Sequence, residues 1–467
     1  MEMRLSSQSS VADSFSSLVV DEGSDSVLTD GSRVAVVGGG PAGSFFSYFL
    51  LKMAEAVDLD VDVDIYEPRS FGHCGPAGCN HCGGIVSESL VQILAAEGIN
   101  LPPEVVQREI ESYVVHMDVG SVAIQSPSGE QRIAALYRGN GPREGAESPW
   151  DSFDGYLQGM ATEKGARIVR QLITDVQWRE DCPWLIGADG EAEAYDLVTV
   201  ASGVNSNFLR LLEDLPAGIK PPKTTRTYIC EFRSTPDEVL RVLGNSMHVF
   251  LLTIPRLEFA AIIPKGEFVT VVMLGDELDQ EMVHAFLRDP VVRKCFPTDA
   301  TPCVCSCSPL INMGARKRPF GDRVVLIGDS GVTRLYKDGI GAAFRTAKAA
   351  ASTAVIQGVS ADAFEKHYWP TCRGIANDNA IGKVIFGTTG LLKASKISRR
   401  GIMRMASREQ ASPDAPRHMS SLLWNMFTGS APYKEILQGA LHPGFLGNIM
   451  VNLAAGIRSS NGKGKVP

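Results

Sequence analysis

The sequence predicts an α/β fold: a parallel-sheet domain, a β-rich domain inserted into it, and a C-terminal helical extension. Three observations carry this. A short apolar strand, Arg33-Val34-Ala35-Val36-Val37, runs into a glycine-rich turn and then an apolar helix, Ser44 to Met53. Two apolar strands much further along, Asp196 to Val200 and Arg323 to Ile327, lead likewise into Gly203 and into Gly328-Asp329. Between them Thr225 to Leu274 is strand-rich, and beyond Ile356 the pattern is helical.

The first strand and turn have a specific chemistry. Gly38-Gly39-Gly40-Pro41-Ala42-Gly43 fits the strand–GxGxxG–helix fingerprint of a Rossmann-type domain. Gly38 permits the tight turn, Gly40 lets backbone N–H groups approach a pyrophosphate, and Gly43 lets the helix pack close to the strand. An anion then sits on the helix N-terminus, where unpaired N–H groups and the macrodipole favour negative charge. Glu67 closes the next strand, Val61 to Tyr66, where a carboxylate can accept hydrogen bonds from an adenosine ribose. Its spacing from the glycines exceeds the usual ~20 residues, and Ala54 to Asp60 accounts for this as a lengthened loop.

The totals set the bounds. A chain of 467 residues has room for two or three domains, and 44% apolar with 21% charged residues is ordinary for a soluble globular protein. A net charge of -8 argues against nucleic acid as a partner across the whole surface. The longest apolar candidate, Val249 to Leu274, is broken by Arg256, Glu258, Lys265 and Glu267, so no helix is expected to span a membrane. No basic segment followed by an apolar one opens the chain, so a cytoplasmic location is expected and the ten cysteines are expected as thiols or ligands.

In order, residues 1–32 are Ser-rich and acidic and are expected as a disordered tail. Residues 33–224 hold the first part of the dinucleotide domain, with a Gly- and Cys-dense loop at 71–87. Ser87 is the N-cap expected for a helix Glu88 to Glu97. Leu101 to Leu136 alternates as strands do, and Phe153 to Gly165 is helical. Residues 225–315 form the β-rich substrate domain, interrupted by a helix Pro236 to Leu243. Residues 316–358 return to the dinucleotide domain with the alanine-rich helix Gly339 to Ile356, and 359–467 are the helical extension.

These junctions together resemble a family. From about Arg33 to Ile356 the chain is similar to the FAD-dependent oxidoreductases of the aromatic-hydroxylase superfamily, and more closely to their geranylgeranyl reductase-like branch. Gly38 to Gly43, with Pro41 and Ala42, resembles the pyrophosphate loop. Cys82-Gly83-Gly84-Ile85-Val86-Ser87 resembles the reductases' Cys-Gly-x-x-x-Ser signature, which implies that Cys82 lies near the flavin and is catalytic. The helix opened by Phe153-Asp154 resembles the one after the family's FAD-contacting arginine, which would be Arg138 or Arg143. Phe259 to Gly266 resembles a sheet motif that usually carries an aromatic near Ala261. Gly328-Asp329-Ser330 resembles the Gly-Asp motif whose aspartate binds the ribityl chain, and Gly339-Ile340-Gly341 opens the helix aimed at the flavin ring. In two places the chain departs from this pattern. Leu335-Tyr336-Lys337-Asp338 stands where the family has a proline, and Ala261 lacks the aromatic.

The resemblance implies FAD as cofactor and reduction of carbon–carbon double bonds in an isoprenoid or similar apolar chain. Its alternatives are a flavin monooxygenase and an electron-transfer flavoprotein with an iron–sulfur cluster. No second strand–GxGxxG–helix unit exists, so NAD(P)H would bind without a Rossmann domain of its own, or another electron donor would serve. Cys74, Cys79 and Cys82 have the C-x4-C-x2-C spacing of plant-type ferredoxins, with Cys303, Cys305 or Cys307 as a fourth ligand. Redox or structural thiols, and zinc with His73 or His81, are the other readings, and no metal ligand is assigned. Leu391 to Arg408 mixes Lys393, Lys396, Arg399, Arg400, Arg404 and Arg408 with apolar residues, as a helix on an anionic membrane would.

Overall fold

The computed structural model describes residues 26–79, 82–126, 133–142, 151–213, 220–314, 318–412 and 416–461. Ser32–Val37 lies inside a six-stranded sheet. The spatial order is Phe320–Gly321, Val324–Leu326, Leu197–Val200, Ser32–Val37, Val61–Tyr66 and Arg167–Val169. All neighbours are parallel except the antiparallel edge pair Phe320–Gly321 and Val324–Leu326. Alternate residues of the first strand enter different cores. Val34 and Val36 join one with Phe45, Phe49 and Phe344, while Ala35 and Val37 join another with Tyr66, Tyr195 and Leu326. A strand buried on both faces has no polar side, which is why it reads as an unbroken apolar run.

Helix Pro41–Ala56 packs against helix Gly339–Ile356, with Phe344 edge-to-face against Phe45 at 5.6 Å and Phe49 at 5.4 Å. Of the expected tail, residues 1–25 lie outside the described residues and 26–32 are packed on the fold. Leu28 is buried, and the Ser26 carbonyl accepts from Val359 N–H at 2.7 Å. An antiparallel meander, Ile173–Arg179, Cys182–Gly187 and Ala192–Ala194, precedes Leu197–Val200.

The second large sheet has eight strands. Its path runs Thr301–Cys307, Thr224–Arg233, Phe268–Gly275, Leu257–Lys265, Ser246–Phe250, Ser112–Met117, Gly120–Gln125, and Leu310–Asn312 also pairs with Thr224–Arg233. It therefore draws on the stretch 112–125 as well as on 224–312. The seam is Ser246–Phe250 against Ser112–Met117, which run parallel. One face packs on helices Pro236–Leu243, Gln280–Arg288 and Pro290–Arg293 through Val239, Phe250, Ile262, Val271 and Phe286. The other face, with Tyr113, Val115, Val249, Ala261 and Ile263, packs on the C-terminal helices through Met403, Met405, Leu423 and Trp424.

Those helices are Trp369–Ala394, Lys396–Ala411, His418–Thr428, Tyr433–Ala440 and Pro443–Asn461. Lys396–Ala411 does not lie free on the surface. Ile402, Met403, Met405 and Ala406 are buried, and Arg399 is 5% exposed and forms a bidentate pair with Asp118 at 2.6 and 2.9 Å. Lys393 is engaged by the Leu257 and Glu258 carbonyls, and Arg408 by Asn452. The amphipathic pattern of this segment is that of a helix packed on a sheet. No described helix is long and apolar enough to cross a membrane.

Candidate active site

The carboxyl ends of the parallel strands converge on one cleft. Gly38 adopts φ +109°, and a Cβ there would lie 2.5 Å from the Ala201 carbonyl oxygen, so only glycine fits beside Leu197–Val200. A Cβ on Gly43 would run into the Gly38 carbonyl and lie 3.0 Å from Val36 Cγ1, which is the close helix–strand approach the spacing predicts. Gly40 is the N-cap of Pro41–Ala56 and has no side chain of its own to satisfy the helix, and Pro41 has no N–H, so the first free N–H groups, those of Ala42 and Gly43, are left for a ligand. Ile340 and Gly341 lie in the first turn of the second helix, whose exposed Gly339 opens it.

Glu67 is 3% exposed. Its Oε2 accepts from Gly39 N–H at 3.1 Å, and its Oε1 accepts from Arg69 N–H at 3.1 Å and Nε at 3.2 Å. Gln158 and Arg170 complete this corner: Gln158 Nε2 donates to the Gly39 carbonyl at 3.0 Å, and Arg170 donates to the Glu67 carbonyl at 3.2 Å. Both lie outside the motif, so neither is visible in it.

Further along the cleft Cys82 and Asp329 both come within electrostatic reach of Arg138. Arg138 pairs bidentately with fully buried Asp154, Nε to Oδ1 at 3.0 Å and Nη2 to Oδ2 at 2.9 Å. The Asp154 carboxylate raises the guanidinium's pKa against the pull of burial. Arg143 lies outside the described residues. Withdrawal from water raises the Asp329 carboxyl, which the Thr333 hydroxyl and Arg138 oppose. A Cβ on Gly339 would lie 3.9 Å from Asp329 Oδ1, so the carboxylate and the helix N-terminus face the same space. Gly328 holds φ +56° to make this turn.

Cys82 accepts from Gly84 N–H at 3.3 Å. Its loop lies on the second sheet: a Cβ on Gly83 would meet Val272 Cγ2 at 3.0 Å and Ile263 Cδ1 at 3.7 Å. An unexpected polar group sits here. Lys265 is 0% exposed, its Nζ is 4.2 Å from the Tyr137 ring centre, and Nζ has no hydrogen-bond partner among the described residues. Glu231 beside it accepts from Thr270 Oγ1 at 2.8 Å and from the Tyr137 hydroxyl at 3.2 Å. Burial pushes Glu231 up and Lys265 down, and each charge opposes the shift of the other. In the sequence, Lys265 stands at the end of the sheet motif Phe259 to Gly266 with no role assigned to it. Only the pairing of Leu257–Lys265 with Phe268–Gly275 turns the lysine inward.

The thiols divide. Cys305 lies against Cys79, and Cys307 faces Cys79 and Cys82, with burial pushing Cys307 up to about 12. Cys74 instead donates to the Asn140 carbonyl at 3.1 Å. Among the described residues Cys74, Cys79 and Cys82 do not converge at ligand distance. His73 is exposed, and His81 lies outside the described residues.

The loop before Gly339, where the proline is absent, is held by the C-terminal helices. Arg334 donates to the Gly429 carbonyl at 2.6 Å and the Ala431 carbonyl at 2.7 Å, and Lys337 donates to the carbonyls of Asn425 at 2.7 Å and Met426 at 3.0 Å. Asp338, at φ +55°, binds Arg334 and Arg345.

This architecture is similar in fold to solved flavoproteins and flavin-dependent enzymes. A geranylgeranyl bacteriochlorophyll reductase-like protein from Thermoplasma acidophilum superposes with a TM-score of 0.61 at 17% identity, over 91% of this chain and 100% of that one. A flavoprotein/dehydrogenase from Cytophaga hutchinsonii gives 0.58 at 14%, over 92% and 100%. The flavin-dependent halogenase CmlS gives 0.58 at 18%, over 88% and 76%. No protein-family model and no curated protein matches the sequence.

The cleft fits the cofactor these folds imply. Gly38, Gly39 and Gly43 leave no room for side chains, the buried Glu67 carboxylate stands beside them, and Asp329 faces the same space as the Gly339 helix.

Proposed function

We propose that this chain binds FAD and reduces carbon–carbon double bonds of an isoprenoid or similar apolar chain, with NAD(P)H as electron donor. The observation that carries the reading is the seat of Cys82-Gly83-Gly84, between the charged Arg138–Asp329 end of the cleft and the apolar wall of Ile263 and Val272. When bound, FAD supplies the hydride. Glu67 and the glycine turn hold the nucleotide half, and Asp329 holds the ribityl chain. The N-terminus of Gly339–Ile356 offers positive potential to a reduced ring. Ile263 and Val272 exclude water and accept an apolar chain. Cys82 positions the substrate, while Lys265 and Glu231, linked to Tyr137, move the proton that completes the reduction.

An anaerobic visible spectrum before and after NADPH tests the donor, and product analysis with a polyprenyl substrate tests the reaction. Bleaching of bound flavin followed by a saturated product is expected. Rapid O2 consumption with a hydroxylated product overturns the reductase reading in favour of a monooxygenase.

We further propose that peripheral membrane contact, where an apolar substrate would be collected, uses the exposed corner at Leu391, Lys396 and Ile397. Leu391 is 76% and Ile397 40% exposed there.

A further inference from the structure

The face of the second sheet turned away from Cys82 carries ligand-type side chains that the chemistry above does not use. His116 belongs to Ser112–Met117, His248 to the adjacent parallel strand Ser246–Phe250, and Cys295 follows helix Pro290–Arg293. His116 Nε2 lies 2.9 Å from His248 Nδ1 and 3.6 Å from Cys295 Sγ, and the three ligand atoms all fall within 4.8 Å of one another. All three residues are buried, in a core otherwise made of residues such as Phe250, Ile262, Val271, Phe286 and Val292. Two imidazoles and a thiol are costly company there, since apolar side chains of similar size would carry no polar atoms to satisfy.

Each imidazole is also fixed from behind. His116 Nδ1 is 2.7 Å from Ser121 Oγ, and His248 bonds the backbone of Leu243. Metal-ligating histidines use their second nitrogen in this way, which sets tautomer and ring orientation. The separations suit an ion. With Zn–N of about 2.05 Å and Zn–S of about 2.3 Å, they give an N–Zn–N angle of about 90° and an N–Zn–S angle of about 110°. The second angle is near the tetrahedral value, and the first reaches it when the two nitrogens move apart to about 3.3 Å.

We propose that His116, His248 and Cys295 bind a borderline-soft transition-metal ion as a structural staple, Zn2+ being the ion that two imidazole nitrogens and one thiolate sulfur fit. On binding, the Cys295 thiol releases its proton to solvent and coordinates as thiolate, and His116 binds through Nε2 while its Nδ1–H donates to Ser121. The staple joins three segments far apart in sequence: 132 residues separate His116 from His248, and 179 separate it from Cys295. It ties the Pro290–Arg293 helix to the parallel seam of the sheet. It is independent of the flavin reading, because these side chains sit on the opposite face from Cys82 and Lys265.

The test uses the full chain, with Zn2+ and Co2+ as probes. After excess metal is removed, elemental analysis is expected to find one zinc per chain, and Co2+ loading is expected to give a thiolate-to-cobalt charge-transfer band. Cys295→Ser should abolish the band while flavin content stays unchanged, and Ser121→Ala should weaken binding roughly 10–100-fold. Cys79→Ser and Cys305→Ser should leave it intact. Wild-type protein that retains no zinc and shows no band overturns the proposal, leaving a plain His–His–thiol hydrogen-bond chain. A band that survives Cys295→Ser but vanishes in Cys79→Ser or Cys305→Ser overturns it as well, by placing the ion among the flavin-side thiols.

Discussion

Single residues separate binding from folding at the glycine turn. Gly40 has an extended backbone that valine can adopt, at φ -71° and ψ -171°, so Gly40→Val should fold and yet block the pyrophosphate. The purified variant is expected to show native far-UV circular dichroism and no flavin absorbance, and full yellow colour would refute the assignment. Asp329→Ala should weaken FAD by about 1.5–3 kcal/mol for each charge-assisted hydrogen bond lost, read as the flavin dissociation constant. Cys82→Ala, by contrast, should keep FAD and lose most turnover, with Cys74→Ala close to wild type because its thiol points to the Asn140 carbonyl. Normal turnover in Cys82→Ala would remove the thiol from the chemistry. Arg138→Met should cost stability as well as flavin. It strands the fully buried Asp154 carboxylate, a loss of about 3–5 kcal/mol that denaturant unfolding would measure.

At the scale of elements, the parallel seam of the second sheet makes the protein acid-sensitive. Burial is the main cause that holds His116 down at about 3 and His248 at about 4, from 6.5 when unfolded. Both folded values are depressed, so the unfolded chain binds more protons below pH 6.5. Stability is therefore complete above that pH and falls on acidification toward pH 4, by about 1.4 kcal/mol per pH unit for each proton taken up. Urea unfolding in EDTA at pH 7.5, 6 and 5 should show the decline. It should be smaller in a His248→Gln variant, and equal slopes would show that other groups set the acid limit.

At the scale of the molecule, the C-terminal helices are a structural part of the cleft. Arg334 and Lys337, just ahead of the Gly339 helix, are held by carbonyls of the extension, and Trp424 Nε1 donates to Glu88 Oε1 at 3.2 Å beside the Cys82 loop. This changes what a membrane experiment should probe. Arg399→Ser is expected to destabilise the fold by breaking its pair with Asp118. Leu391→Ser with Lys396→Ser should leave the unfolding midpoint unchanged and lower co-sedimentation with anionic vesicles, and binding by the wild-type protein should itself weaken as salt rises. No binding by wild-type protein to vesicles containing phosphatidylserine would remove the membrane from the account.

The sequence by itself determined the parts whose physics is local. The strand–GxGxxG–helix unit was legible because glycine alone tolerates the Gly38 dihedral and the Gly43 approach, and a strand buried on both faces reads as an apolar run. The helix Pro236–Leu243 was legible too, and in the folded chain the Thr235 side chain caps it by accepting from Glu238 N–H. Tertiary structure alone decided what depends on pairing across long separations. Ser112–Met117, with its neighbour Gly120–Gln125, joins a sheet whose other strands begin about a hundred residues later, and that pairing turns Lys265 inward and brings His116 to His248. It also decided the fate of the basic segment 393–408. An amphipathic helix carries the same periodicity whether it meets a bilayer or a sheet, and in the folded chain Arg399 and the apolar side of this one meet the Asp118 carboxylate and the sheet while Lys396 and Ile397 stay exposed.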